Sequence, residues 1–309
     1  MGYWLAADMR KIALGLGALL VLAAPVAADS TKPAKSSTPQ QLALFQERSI
    51  FTSGLRGTHT IALTFDDGPN LHTGEVLDAL REMNVRATFF IVGRQGRRYP
   101  EMLSRITREG HLLANHSANH ARLSTRYATN PSLLIDEIRE VHDQIAPRMA
   151  QGDKFYFRAP YGYWKSAHAK ILNADPALNQ YVGPIYWDVG GDIAMSRDGY
   201  VMSAADWECW RIKWPAKTCA KGYLREIRRK NGGVVLMHSI QMNSAALVRE
   251  VVPALIEEGY RFVRLDQVPQ YRQYETPQDR PSAVADAQGR TPIRLSAVRT
   301  NDIKADQLK

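Results

Sequence analysis

Ile61-Ala62-Leu63-Thr64-Phe65-Asp66-Asp67-Gly68-Pro69 is an apolar run closed by two adjacent carboxylates and a Gly-Pro turn. A β-strand that stops at this turn presents both acids at one rim of a sheet. Two neighbouring carboxylates repel, so a site that holds both needs a cation or a shared proton. Three further segments also sit at or just after apolar, strand-like runs. They are His116-Ser117-Ala118-Asn119-His120, Arg158-Ala159-Pro160-Tyr161 and Leu236-Met237-His238.

Outward from this stretch, strand-like and amphipathic segments alternate. Strands are predicted at 60–65, 87–92, 111–116, 155–158, 183–189, 234–238 and 261–265, and helices at 73–83, 100–109, 132–145, 220–230 and 244–258. In the 132–145 helix, Leu134, Ile135, Ile138, Val141 and Ile145 recur at helical spacing, which marks a core-facing stripe. Such alternation gives an α/β fold with helices over a parallel sheet. About seven parallel strands suit a distorted or incomplete (β/α) barrel, whose active sites lie at the C-terminal strand ends. Asp66, Asp67, His116, Arg158 and His238 all fall at such ends.

Asp67, His116 and His120 supply one carboxylate and two imidazoles, leaving positions for water and substrate as catalytic zinc sites do. The same set describes the iron site of oxygenases. That reading leaves Asp66, Arg158 and His238 without a task, whereas hydrolysis uses all three.

In order, these segments resemble the polysaccharide deacetylases of carbohydrate esterase family four, the nodulation protein B homology domain. The family motifs T-F-D-D-G-P, H-[ST]-x-x-H, R-x-P-[YF] and L-x-H are intact across roughly residues 58 to 268. The resemblance implies a barrel-type fold and a divalent metal held by Asp67, His116 and His120. That metal is expected to be Zn2+, with Co2+, Ni2+ or Mn2+ as alternatives. It makes Asp66 the general base that takes a proton from the attacking water, with Arg158 fixing its direction. His238 is the general acid that protonates the leaving amine. The backbone N–H of Tyr161 holds the developing oxyanion, and Leu236 lines a pocket for the acetyl methyl. An ordinary structural ion pair for Arg158 and plain strand core for Leu236 are the simpler alternatives.

The fourth motif departs from the family, which has an Asp-Trp pair whose Asp supports the acid histidine. Here Trp187-Asp188-Val189-Gly190-Gly191-Asp192-Ile193 follows a strand, so Asp192 is taken as the supporting carboxylate although Ile193 replaces Trp. Asp206-Trp207 is the second choice, and Asp188 is left to the strand end. Tyr163, Trp164, Trp187, Trp207, Trp210 and Trp214 either stack on sugars or simply pack.

The chain has 309 residues, 45% of them hydrophobic and 23% charged, which suffices for a full core. The net charge is +9, with basic residues scattered rather than clustered among aromatics, which argues against nucleic-acid binding. Arg10-Lys11, an apolar run to about Ala24, and Val26-Ala27-Ala28 make a cleavable export signal, with Met9 the better start. The run is shorter than a membrane span, although an uncleaved anchor is the alternative. Losing residues 1–28 removes Arg10, Lys11 and Asp8, so the mature charge drops by one to +8. The division expected is 1–28 signal peptide, 29–57 polar linker, 58–268 deacetylase domain, and 269–309 polar tail without fixed structure. In an exported protein Cys209 and Cys219 form a disulfide. The alternative, a structural zinc, lacks two further ligands between them.

The expected activity is hydrolysis of N-acetyl groups from an N-acetylglucosamine-containing polysaccharide: peptidoglycan, chitin oligomers or poly-N-acetylglucosamine. Alternatives are an O-acetyl polysaccharide (xylan) esterase of the same family and a non-catalytic carbohydrate-binding relative. The protein is expected to be periplasmic or secreted, with the polysaccharide as its partner. No nucleic acid, no membrane span after cleavage and no protein partner is expected.

Overall fold

The computed structural model describes residues 45–50, 53–151 and 153–274. Ten strands and nine α-helices occur among them. In chain order these are β1 (Phe45–Ile50), β2 (Thr60–Asp66), α1 (Thr73–Glu82), β3 (Thr88–Ile91), α2 (Gly93–Arg98), α3 (Pro100–Arg108) and β4 (Leu112–Asn115). Then come α4 (Thr125–Thr129), α5 (Pro131–Ile145), β5 (Phe155–Tyr156), α6 (Ser166–Asn173), β6 (Tyr181–Ile185), β7 (Ala194–Met195) and β8 (Val201–Ser203). The last are α7 (Asp206–Arg211), α8 (Ala216–Lys230), β9 (Gly232–His238), α9 (Ser244–Glu257) and β10 (Arg261–Val263).

The protein is α/β with a mostly parallel sheet. β2 lies at the centre of a five-stranded sheet. β9 pairs along its whole length, Thr60 opposite Gly232 through Asp66 opposite His238. β10 pairs with residues 60–62 of β2 and β3 with residues 64–65, and β4 follows β3. β1, β6 and β5 form a second parallel sheet, and β7 with β8 a short antiparallel hairpin. The strands therefore do not join into one continuous ladder of seven. Two single parallel bridges, Asn115 with Phe157 and Val189 with Val235, link the two larger sheets.

Every residue of β2 is buried, as expected of a parallel strand covered on both faces. Ile61, Leu63 and Phe65 pack with Leu77, Leu80, Val248 and Val252 of α1 and α9. Ala62 faces the other way, onto Phe90, Tyr156, Val182 and Val234. The two-residue period puts Thr64 and Asp66 on that second face too, which aims Asp66 inward. α5 starts at Asn130, whose side chain accepts from the Leu133 N–H, with Pro131 in the first turn. Its buried stripe is Leu134, Ile138, Val141 and Ile145, with Glu137 on the same face; Ile135, also expected in the stripe, is only partly buried.

Two predicted boundaries shift. Within the stretch read as a linker, residues 45–50 form β1, which pairs with β6 and buries Phe45 against Phe157, Trp164 and Tyr181. At the other end, Tyr271 of the expected tail is 1% exposed and packs with Tyr156. The predicted signal peptide, the rest of the linker up to residue 44 and the tail beyond 274 lie outside the described residues.

Candidate active site

The side chains named from the sequence converge at the C-terminal ends of β2, β4 and β9. Asp66 closes β2, buried at 3% exposure. Asp67 follows with φ of 70°, a left-handed turn that sends its carboxylate away from that of Asp66. His116 follows β4, and the loop to His120 makes two further left-handed steps, at Ser117 and His120. The two imidazoles therefore meet through a tight loop rather than along a helix face.

Arg158 is 1% exposed and fills the space beneath these groups. Its Nη1 donates to Asp66 Oδ1 at 2.7 Å and to Thr64 Oγ1 at 2.9 Å. Nε donates to the Ile185 carbonyl and Nη2 to that of Tyr186. The guanidinium also stands 4.1 Å above the Phe90 ring. A buried cation with this many partners fixes the direction of the Asp66 carboxylate. The remaining oxygen, Asp66 Oδ2, faces His116 Nε2 at 3.6 Å.

Asp67, His116 and His120 have the arrangement of a metal site, with one donor atom from each within 4.8 Å of the others. His116 Nδ1 lies 2.8 Å from the Arg158 carbonyl, which can only accept, so Nδ1 carries the proton and Nε2 offers a lone pair. Asp67 Oδ1 sits 3.1 Å from His120 Nε2 and 3.5 Å from His116 Nε2, yet it is buried with no hydrogen-bond partner. An orphaned carboxylate oxygen ringed by imidazole nitrogens is what a divalent cation satisfies, so these residues fit one. Burial pushes the Asp67 carboxyl up. His116, His120 and the charge of His238 outweigh it and hold the group well below the ordinary carboxylate range.

His238 ends β9 opposite Asp66, with Nε2 3.9 Å from Asp67 Oδ2. Its supporting carboxylate is Asp206, not Asp192. His238 Nδ1 donates to Asp206 Oδ1 at 2.7 Å, and the His238 backbone N–H donates to Asp206 Oδ2 at 2.6 Å. Asp206 is fully buried, while Asp192 is exposed on the loop between β6 and β7. α7, which opens with Asp206, packs against the end of β9 and so delivers the later carboxylate. Burial pushes the His238 imidazole down. Asp206 above all, then Asp67 and Asp66, raise it to about 10. Asp188 is a buried anchor at the sheet junction, accepting from Ser53 Oγ, Arg56 Nε and the Val234 N–H.

Tyr161 sits on the rim with φ of 59°, 67% exposed, its ring 4.6 Å from that of His120. Leu236 is buried in β9 two residues before His238. Among the aromatics, Trp164 packs on Phe45 and Phe157 and donates to the Gln46 carbonyl, and Trp187 stacks on Tyr186. Trp207, beside Asp206, is 47% exposed, and its backbone N–H donates to Asp206 Oδ1.

Two supporting residues escaped the sequence reading. Glu137 of α5 accepts from the Asn119 backbone N–H at 3.0 Å and from Asn119 Nδ2 at 2.9 Å, and its own carbonyl accepts from the Ala118 N–H. It thus clamps the loop between the two histidines. A charged residue inside an otherwise apolar helical stripe was the available signal. Tyr223 of α8 accepts from the Asp206 N–H and donates to the Leu236 carbonyl, both at 3.0 Å. Nothing in its sequence neighbourhood marks it.

Cys209 and Cys219 are joined in a disulfide between α7 and α8.

The family model described as polysaccharide deacetylase matches residues 54–177. The peptidoglycan-N-acetylmuramic acid deacetylase PdaA of Bacillus subtilis is 26% identical over 226 residues, 73% of this chain and 77% of the relative. A chitooligosaccharide deacetylase of Rhizobium leguminosarum bv. trifolii is 37% identical over 130 residues, 42% of this chain and 56% of the relative. The solved structure of Bacillus subtilis PdaA, described as a family 4 carbohydrate esterase, superposes with a TM-score of 0.54 at 26% identity, covering 69% of this chain and 82% of that one. The strand-end carboxylate pair, the histidine loop and the buried arginine are thus carried on a fold and a sequence similar to those of these enzymes, and residues 54–177 match the polysaccharide deacetylase model.

Proposed function

We propose that the protein hydrolyses N-acetyl groups of an N-acetylglucosamine-containing polysaccharide, releasing acetate and leaving the free amine. The observation that carries this reading is the division of labour around Asp66 and Asp67. One carboxylate is locked to a buried arginine, and the other turns a buried oxygen with no hydrogen-bond partner toward imidazoles. A divalent metal held by Asp67, His116 and His120, Zn2+ in this reading, would supply a Lewis acid that polarises the acetyl carbonyl and acidifies water.

Asp66, held by Arg158, accepts the proton of the attacking water through Oδ2, the oxygen that Arg158 leaves open. The Tyr161 N–H, presented by a left-handed backbone step, stabilises the developing oxyanion. Leu236 bounds the space for the methyl group. His238, kept protonated by Asp206, delivers its Nε2 proton to the departing amine. An amine needs that proton to leave, which favours an amide over an O-acetyl ester as the natural bond.

The finer assignments follow the same reading. The two inter-sheet bridges support a distorted barrel of about seven strands. Residues 1–28 act as an export signal and place the enzyme in the periplasm or outside the cell. No helix among the described residues is long and apolar enough to cross a membrane. The catalytic domain begins with β1 rather than at residue 58. Acetate release from N-acetylated and O-acetylated glycans, measured side by side, tests the proposal. Preference for the O-acetylated glycan would favour the esterase alternative, and binding without release the non-catalytic one.

A further inference from the structure

We infer that α8 is a bracket for the acid end of the site. Tyr223 and the Cys209–Cys219 disulfide together hold Asp206 at the height of His238, and so govern amide hydrolysis without touching substrate. The inference rests on the reading of His238 as general acid.

Asp206 opens α7, a helix of only six residues. So short a helix has little stability of its own, so its position is set from outside. Three ties to α8 set it. Cys209, fully buried, is bonded to Cys219. Tyr223, one turn beyond Cys219 and also fully buried, accepts from the Asp206 N–H and donates to the Leu236 carbonyl. One hydroxyl therefore links the residue that opens α7 to the strand that ends in His238. Finally, Gly222 lets α8 lie directly on the chain leading to Asp206. A Cβ there would stand 2.5 Å from Ala204 Cβ and 2.8 Å from the Ser203 backbone.

Gly190 leaves room for the same contact from the other side. Its φ is +95°, and a Cβ would come within 2.3 Å of the Leu236 carbonyl oxygen and 3.1 Å of Tyr223 Oη. Asp206 then grips both the ring and the backbone of His238. A shift of Asp206 by about 1 Å would turn that ring off the leaving group, an error that costs on the order of 100-fold in rate.

The test uses the metal-loaded full chain and two substrates, a chitooligosaccharide and para-nitrophenyl acetate. The amide needs its nitrogen protonated in order to leave; nitrophenolate departs without a proton. Tyr223→Phe removes only the hydroxyl, and the double variant Cys209→Ala with Cys219→Ala removes the crosslink without burying a new polar group. Both are expected to lose roughly 10- to 100-fold in kcat on the amide. KM, bound metal and ester hydrolysis should stay at the wild-type level. A parallel fall on both substrates would make the bracket a mere staple and overturn the inference. So would unchanged amide turnover in both variants while His238→Ala and Asp206→Asn show the selective loss. If His238→Ala itself shows no selective loss on the amide, the general-acid reading fails instead.

Discussion

Asp66 and Asp67 are neighbours in the chain with unlike surroundings. Arg158, itself held by Thr64, fixes the first; three histidines surround the second. Asp67→Ala, His116→Ala and His120→Ala are each expected to lose bound metal and activity together, as read by elemental analysis beside acetate release. Asp66→Asn should keep its metal and lose about 100- to 10,000-fold in turnover. Asp192→Asn should leave turnover at the wild-type level, while Asp206→Asn lowers kcat with the metal retained; equal effects of the two would undo the assignment of Asp206. At this scale the grouping of Asp66, Asp67, His116 and His238 was legible because each is the last residue of a strand or the first beyond it, while His120 and Arg158 follow in the loops after β4 and β5. The acid's support was narrowed only to Asp192 or Asp206, with the wrong one preferred. Asp206 lies 32 positions from His238 in sequence, and the intervening path runs through a helix and a disulfide whose docking no periodicity reveals.

Among the elements, α5 does more than bury a stripe. Glu137 ties the histidine loop to the helix through two hydrogen bonds to Asn119. Glu137→Ala should weaken metal retention by roughly 10- to 100-fold, as loss of an outer partner of a ligand loop does. Competition with a chelator reads this directly, and retention at the wild-type level would reduce Glu137 to a packing residue. The sequence reading placed α5 correctly from its 3.6-residue period and treated it as core alone. β2 and β9 were found because buried parallel strands are nearly continuous apolar runs. β1 was missed because Gln46, Glu47, Arg48 and Ser49 make it read as polar linker. Its attachment comes from pairing with β6 and from the single buried Phe45, a long-range contact that local composition does not carry.

For the molecule as a whole, acid stability depends on two histidines away from the site. Burial pushes His111 and His168 down to about 4, from an ordinary value of 6.5. His111 Nδ1 accepts from the Ala87 N–H and His168 Nδ1 from the Lys165 N–H, so both are folded as neutral rings. The unfolded chain takes up these protons first. The stability they represent is therefore complete above pH 6.5 and is lost as the pH falls from 6.5 to about 4, by up to about 3 kcal/mol each. Melting curves of metal-depleted protein across that range should show the loss, and His111→Gln, which keeps an acceptor for Ala87, should flatten it. A melting temperature independent of pH between 6.5 and 4 would contradict this. The α/β class and the side of the sheet that carries the site were legible from alternation alone. The division into two bridged sheets was not, because it depends on which strand edges meet. That one site joins metal, base and acid for amide hydrolysis is tested most directly by acetate release from a chitooligosaccharide by wild-type and Asp66→Asn protein of equal metal content. The expected result is one acetate for each free amine formed by the wild type, and a loss of at least about 100-fold in the variant. Equal rates in the two proteins, or glycan binding with no acetate from either, would contradict it.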